Sequence, residues 1–251
     1  MTRWLDPLRA ALDEAAAAVA FFFRDDDAGW RDDRLMTLLG LFAGRGVPID
    51  LAAIPLDMSP ALAGRLSARA EQTGLVGIHQ HGYAHVNHER EGRRCEFGPS
   101  RPGRVQLADI GEGRRRLHEL LGPAVQPMFT PPWNRCTADT GACLVELGVA
   151  VLSRDRTAGE LSVPGLRELP VQVDWLQRRK GERLSRAAVG ELLAARAAEP
   201  APLGVMLHHA VMDGDDMDAV GELLDLVAVH DRARCLTMAA ALDEATEDGA
   251  R

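Results

Sequence analysis

The chain has 251 residues, 46% apolar and 26% charged, with a formal net charge of -8. That length buries a sizeable core, and the composition is that of an ordinary soluble globular protein. The acidic excess and the absence of a long basic run argue against non-specific nucleic-acid binding and against anchoring on an anionic membrane.

PLRAALDEAAAA, with Asp6 as cap and Pro7 in the first turn, predicts an N-terminal helix over about residues 5–19, packed on the rest of the chain. Asp6, Pro7, Asp13 and Glu14 interrupt it, so it does not read as a signal peptide. No run of about 18 apolar residues exists, so no membrane span is expected, and a cytoplasmic location is the expectation. VAFFFRD has the length and composition of a buried strand, and DRLMTLLGLFAGRG has helical spacing. VPIDLAAIP predicts a second strand. SPALAGRLSARAEQTG, with a serine cap and Pro60, predicts a helix, and LVGIHQH a third strand. Residues 82–103 are polar and rich in Gly, Pro and Arg, which predicts a long loop of the kind that often carries function.

A helix over about residues 107–121 follows, then VQPMFTPPW, a strand entering a double-proline turn. TADTGACLVELG predicts a helix capped by Thr137 or Asp139, VAVLSRD a strand, and LRELPVQVDW another. Ser185 caps a helix reaching Ala198, LGVMLHHAV is a strand, MDAVGELLDLVAVHD a helix, and RCLTMAAAL the last strand and turn. Four scattered cysteines without a C-x-x-C pair read as free thiols, not as a zinc site.

This alternation of strands and helices predicts an α/β fold, a mostly parallel sheet covered by helices, as one domain over residues 1–251. In such folds ligands gather at the carboxyl ends of the strands. Chemically capable residues fall at that place in successive units. Asp25, Asp26 and Asp27 end the first strand, and His79, His81 and His85 end or follow the third. Residues 130–135 end another, with Asp174 and Trp175, then His208 and His209, ending later ones.

In HGYAH, His81 and His85 are four residues apart and can face one point if the segment is helical or tightly turned. Four of the eight histidines lie between positions 79 and 88. Two neutral imidazoles and one carboxylate hold zinc with an open position for water, the arrangement of a hydrolytic site. A second aspartate then serves as general base. The cation, with Arg24, offsets the repulsion among adjacent carboxylates.

The ordered set RDDDAG, HGYAH, FTPPW, VDW and MLHH, over roughly residues 20–215, resembles the five motifs of the polysaccharide deacetylase (NodB homology) family. The resemblance implies a distorted (β/α) barrel of seven strands. It also implies a metal-dependent hydrolase that removes acetyl groups, as amide or ester, from a carbohydrate or related small intermediate. Carried over by position, it makes Asp26 the base and Asp27 a metal ligand with His81 and His85; Asp25 and Asp26 form the alternative register. Trp133 takes the position whose backbone N–H helps hold the oxyanion. His208 is the acid for the leaving group, with His209 as its rival. The implied cofactor is a divalent metal, zinc first, with Co, Mn, Ni or Fe as alternatives; the partner is a small-molecule or oligosaccharide substrate.

Two positions depart from the family pattern. Thr130 stands where an arginine is usual, with Arg24 or Arg135 as candidate substitutes, and Val171 stands where an aspartate is usual, leaving Asp174 to support the acid. These departures mark a divergent member and leave a non-catalytic carbohydrate-binding pseudoenzyme as an alternative reading. The Asp-His-His set itself leaves another, a non-haem iron enzyme using the same residues. Arg93, Arg94 and Arg101 are candidates for an anionic substrate, and Trp175 either stacks on a sugar ring or anchors the core.

Overall fold

The apolar run beginning at Val19 becomes β1 (Val19–Ala28), and every residue of it is buried. Burial on both faces is what a parallel strand between helical layers requires. The structure, a computed structural model, describes residues 3–248.

In chain order the helices are α1 (Asp6–Glu14), α2 (Asp32–Ala43), α3 (Pro60–Thr73), α4 (Gly103–Leu121), α5 (Ala138–Glu146), α6 (Arg186–Ala197), α7 (Gly214–Val227) and α8 (Met238–Asp248). After β1 the strands are β2 (Ile49–Ala53), β3 (Val76–His81), β4 (Val125–Thr130), β5 (Val151–Leu152), β6 (Arg167–Glu168), β7 (Val173–Asp174), β8 (Arg178–Arg179), β9 (Glu182–Arg183), β10 (Leu203–Leu207) and β11 (Ala233–Leu236). The chain divides into two compact units. One takes the residues up to Asp25, Asp33–Asp50 and everything from Val171 onward; the other takes Asp26–Asp32 and Leu51–Pro170.

In the first unit β1 pairs in parallel with β10 and with β11, and β10 pairs with β7. Phe22 sits opposite Gly204 in that register. A Cβ at Gly204 would lie 2.1 Å from the Phe22 ring, so the bare glycine is what lets the ring lie across β10. Phe23 meets Phe42 of α2 edge-on at 5.2 Å. Asp213 caps α7 in a reciprocal box with Asp216, whose buried carboxylate also takes Arg183 and Arg186. The amide at the start of α8 donates to the Asp50 carboxylate at 2.8 Å.

In the second unit β3, β4, β5 and β6 pair in that order, all parallel. Its core joins Phe97, Ile110, Phe129, Leu144, Val149 and Leu152. Ser59 caps α3 at the predicted residue, and of the two candidates for α5 it is Thr137, not Asp139, that caps the helix.

Several expectations are corrected. The N-terminal helix stops at Glu14, not near residue 19, because Val19 is drawn into the sheet by its bond to the Arg232 carbonyl. LRELPVQVDW is not one strand: Pro170, which lacks an N–H, separates β6 from β7. With β5 also only two residues long, the described strands outnumber the seven expected. The final turn is instead the helix α8, and β8–β9 form an antiparallel hairpin that periodicity did not predict.

Candidate metal centre

Asp27, His81 and His85 come together in the second unit. Asp27 is the penultimate residue of β1 and His81 ends β3; His85 follows four residues on through a tight turn. Asp27 Oδ1 lies 3.3 Å from His81 Nε2 and 3.2 Å from His85 Nε2. Donors about 2.1 Å from a tetrahedral zinc stand about 3.4 Å apart. Both Asp27–imidazole distances match that spacing and all three donor atoms lie within 4.8 Å of one another, so the set suits a small cation in donor chemistry.

Each imidazole is fixed from behind. The carbonyl of Thr130, at the end of β4, accepts from His81 Nδ1 at 3.0 Å, which leaves Nε2 as the lone-pair face toward Asp27. The His85 ring lies between two indoles, Trp30 at 4.7 Å and Trp133 at 4.5 Å between centroids. Burial, reinforced by His81, pushes the His85 imidazole down to about 4, although Asp27 opposes the shift. It is thus neutral near pH 7, the form that ligates a metal. Asp27, His85, Trp133 and Asn134 all carry positive φ, a conformation that L-residues adopt at a cost and that clusters at functional sites.

The aspartates do not cap a helix: all three are buried within β1. Asp25 belongs to the first unit, where Oδ1 accepts the His209 amide at 2.9 Å and Oδ2 meets His209 Nδ1 at 2.6 Å. Both groups are fully buried. That pairing keeps the His209 ring on Asp25, while His208 follows β10 only half-buried. Asp174 accepts the Leu176 amide at 2.9 Å. Arg24 is fully buried with its guanidinium 2.9 Å from the Met206 sulfur, on β10.

The departures from the motif pattern have local explanations. Thr130 is buried and its hydroxyl meets His79 Nε2 at 2.8 Å, so the position serves the strand-end histidines. Arg135 reaches the Arg94 carbonyl at 2.8 Å, and Val171 is fully buried in the first unit. Arg101 pairs with Asp109 at 2.6 Å. Trp175 is 1% exposed, with the Arg186 guanidinium 5.0 Å over its ring, so it is a core anchor and not a sugar platform. Trp30, 37% exposed and pinned through Nε1 to Asp57 at 2.6 Å, is the indole open to solvent, and nothing in the motif pattern singled it out. Glu96 and Gln80 were also missed; both bind backbone of the HGYAH turn, and the one hint in the sequence was the polarity of Gln80 inside an apolar strand, Glu96 being one charge among several in its loop.

No family model matches the chain, and no curated protein matches it. Solved structures do. A putative polysaccharide deacetylase from Mycobacterium smegmatis superposes with a TM-score of 0.69 at 15% identity, covering 94% of this chain and 93% of that one. The chain has the polysaccharide deacetylase fold. A Streptococcus mutans CE4 esterase gives 0.57 at 10% identity, covering 88% and 85% of the two chains. A CE4 family pseudoenzyme from Bacillus anthracis gives 0.57 at 12% identity, covering 91% and 66%. The expected (β/α) barrel type is therefore the observed one, at identities that fit a divergent member. Among the described residues no helix is long and apolar enough to cross a membrane.

Proposed function

We propose that this chain is a metal-dependent hydrolase that removes an acetyl group from a carbohydrate or a related small intermediate. The observation that carries the reading is the convergence of Asp27, His81 and His85 on one point at the end of β1 and β3. These residues would hold a divalent cation, zinc first, with Co, Mn, Ni or Fe compatible with the same donors. Such a cation supplies Lewis acidity, acidifying water and polarising a carbonyl.

The chain's own groups take the remaining roles. Asp26 accepts the proton of the attacking water as its oxygen bonds to the acetyl carbon. The Trp133 N–H donates to the oxyanion of the tetrahedral intermediate. The intermediate breaks its bond to the sugar nitrogen or oxygen as His208 protonates that atom, and acetate leaves. Trp30 offers an exposed ring face against which a pyranose can stack.

The test pairs metal analysis with acetate release from a panel of N- and O-acetylated sugars. Wild type is expected to carry metal and release acetate, and Asp26→Asn to keep the metal and lose turnover by at least about 100-fold. A protein that takes up no divalent metal and is indifferent to His81→Ala would overturn the reading. Thr130 and Val171, both buried where the family pattern has charged residues, favour one rival: a sugar-binding protein without turnover. Saturable sugar binding with metal bound and no acetate released would select it.

A further inference from the structure

The turn between the two histidines is wrapped around a buried carboxylate. Glu96, in the loop ahead of α4, is fully buried. Its Oε1 accepts the Ala84 amide at 2.7 Å and its Oε2 the Tyr83 amide at 3.2 Å. The Val86 amide also donates to it. Consecutive amides turned inward make a concave nest suited to an anion.

Gly82 is part of that nest. Its φ is 57°, and a Cβ there would stand 2.2 Å from Glu96 Oε2 and 2.6 Å from Pro132. Only glycine leaves room for the carboxylate. The other restraints on the turn act elsewhere: the Gly82 amide donates to the Thr130 carbonyl at 3.0 Å, Gln80 Nε2 donates to the Gly82 carbonyl at 2.9 Å, and the Leu56 amide donates to the Tyr83 carbonyl at 3.1 Å. The Tyr83 and Ala84 amides are left to Glu96.

The amides of residues 83 and 84 lie between His81 and His85, and that of residue 86 directly follows His85. Whatever Glu96 holds is therefore the path from one imidazole to the other, including the left-handed backbone of His85 at φ 55°. A buried carboxylate is costly unless it is fully hydrogen-bonded, and no apolar side chain could accept these amides in its place.

We propose that Glu96 is a positioning residue of the metal centre, its carboxylate setting the separation and orientation of His81 and His85 toward the point they share with Asp27. The proposal rests on the metal-site reading above. Removing Glu96 frees the amides of residues 83, 84 and 86 and lets His85 leave its strained conformation, so the two Nε2 atoms no longer meet one cation.

The test titrates metal-free wild type, Glu96→Gln and Glu96→Ala with Co²⁺, reading affinity by calorimetry and coordination by visible absorption. Near-ultraviolet circular dichroism checks the fold. Glu96→Gln keeps the volume but turns a donor toward the nest. Both variants are expected to bind Co²⁺ about 10–100-fold more weakly than wild type, with an altered absorption band. Glu96→Asp, which keeps the charge, is expected to regain part of the affinity. A folded Glu96→Gln with the affinity and spectrum of wild type would overturn the proposal and leave the metal site standing, since a mere loop staple lowers stability without touching coordination. If Glu96→Ala fails to fold, Glu96→Gln decides. Wild type that takes up no Co²⁺ overturns the metal reading and this proposal together, before any variant is compared.

Discussion

Asp27 and His85 face each other across 3.2 Å, and both hold left-handed backbone, with φ 69° and 55°. Each such conformation costs an L-residue roughly 1–2 kcal/mol. The Trp30 amide, donating to the Asp27 carbonyl at 3.0 Å, closes the turn on one side, and the nest around Glu96 holds the other. The strain is spent on bringing a carboxylate and an imidazole to one point.

Asp27→Asn separates charge from shape at that point. Asparagine tolerates left-handed backbone, so the metal-free variant is expected to melt within a few degrees of wild type. Its divalent-metal affinity is expected to fall by at least about 10-fold, because an anionic ligand becomes neutral. Metal-competition titration and a thermal melt in chelator check the two halves.

The pH dependence of the metal-free protein carries the signature of His85. Its folded pKa is about 4, below the ordinary value of 6.5, so the unfolded chain binds more protons between those values. The contribution of His85 to stability is therefore complete above about pH 6.5 and is lost as pH falls toward 4. Urea unfolding from pH 4 to 8, in chelator, is expected to show a shallower acid slope in His85→Gln than in wild type. Equal slopes would contradict it.

Asp50 works in the opposite direction. Burial raises its carboxyl to about 6, despite the bond from the Met238 amide, and its Oδ1 has no partner among the described residues. A raised folded pKa means that stability present below about pH 4 is lost as pH rises through about 6. Asp50→Asn keeps an acceptor for the amide at the start of α8 and removes the buried charge. It is expected to be more stable than wild type above pH 7, by on the order of 2 kcal/mol, with the gain vanishing near pH 4. Denaturant midpoints at pH 4 and pH 8 measure it.

Gly204→Ala tests the packing of β10 on β1. The added methyl would meet the Phe22 ring at 2.1 Å, and the fully buried ring has little room to retreat. A loss of about 1–3 kcal/mol is expected. Gly214→Ala, at an open position, should cost much less. The two melts side by side provide the check.

The elements legible in the chain were those whose periodicity and caps agree: α3 behind Ser59, α5 behind Thr137, and the buried strands β1 and β10. The illegible ones were those where tertiary pairing overrides local preference. Alanines 15–18 have high helix propensity yet leave the helix to feed β1, and β5, β6 and β7 are too short to show a period.

The candidate ligands could be read as a set because metal chemistry restricts them to few side-chain types, and these recur at strand ends in a chain with only eight histidines. The position of each aspartate could not be read, because three identical neighbours differ only in what they meet: Asp27 meets His81 and His85, and Asp25 meets His209. Trp175 and Trp30 are alike as letters, and only burial separates the anchor from the exposed ring. Glu96 was just another charge in a charged loop until folding put it under the amides of residues 83 and 84. Composition and spacing carry information about which chemistry a chain can perform. Which atom performs it depends on contacts between residues far apart in sequence, and those exist only once the chain has folded.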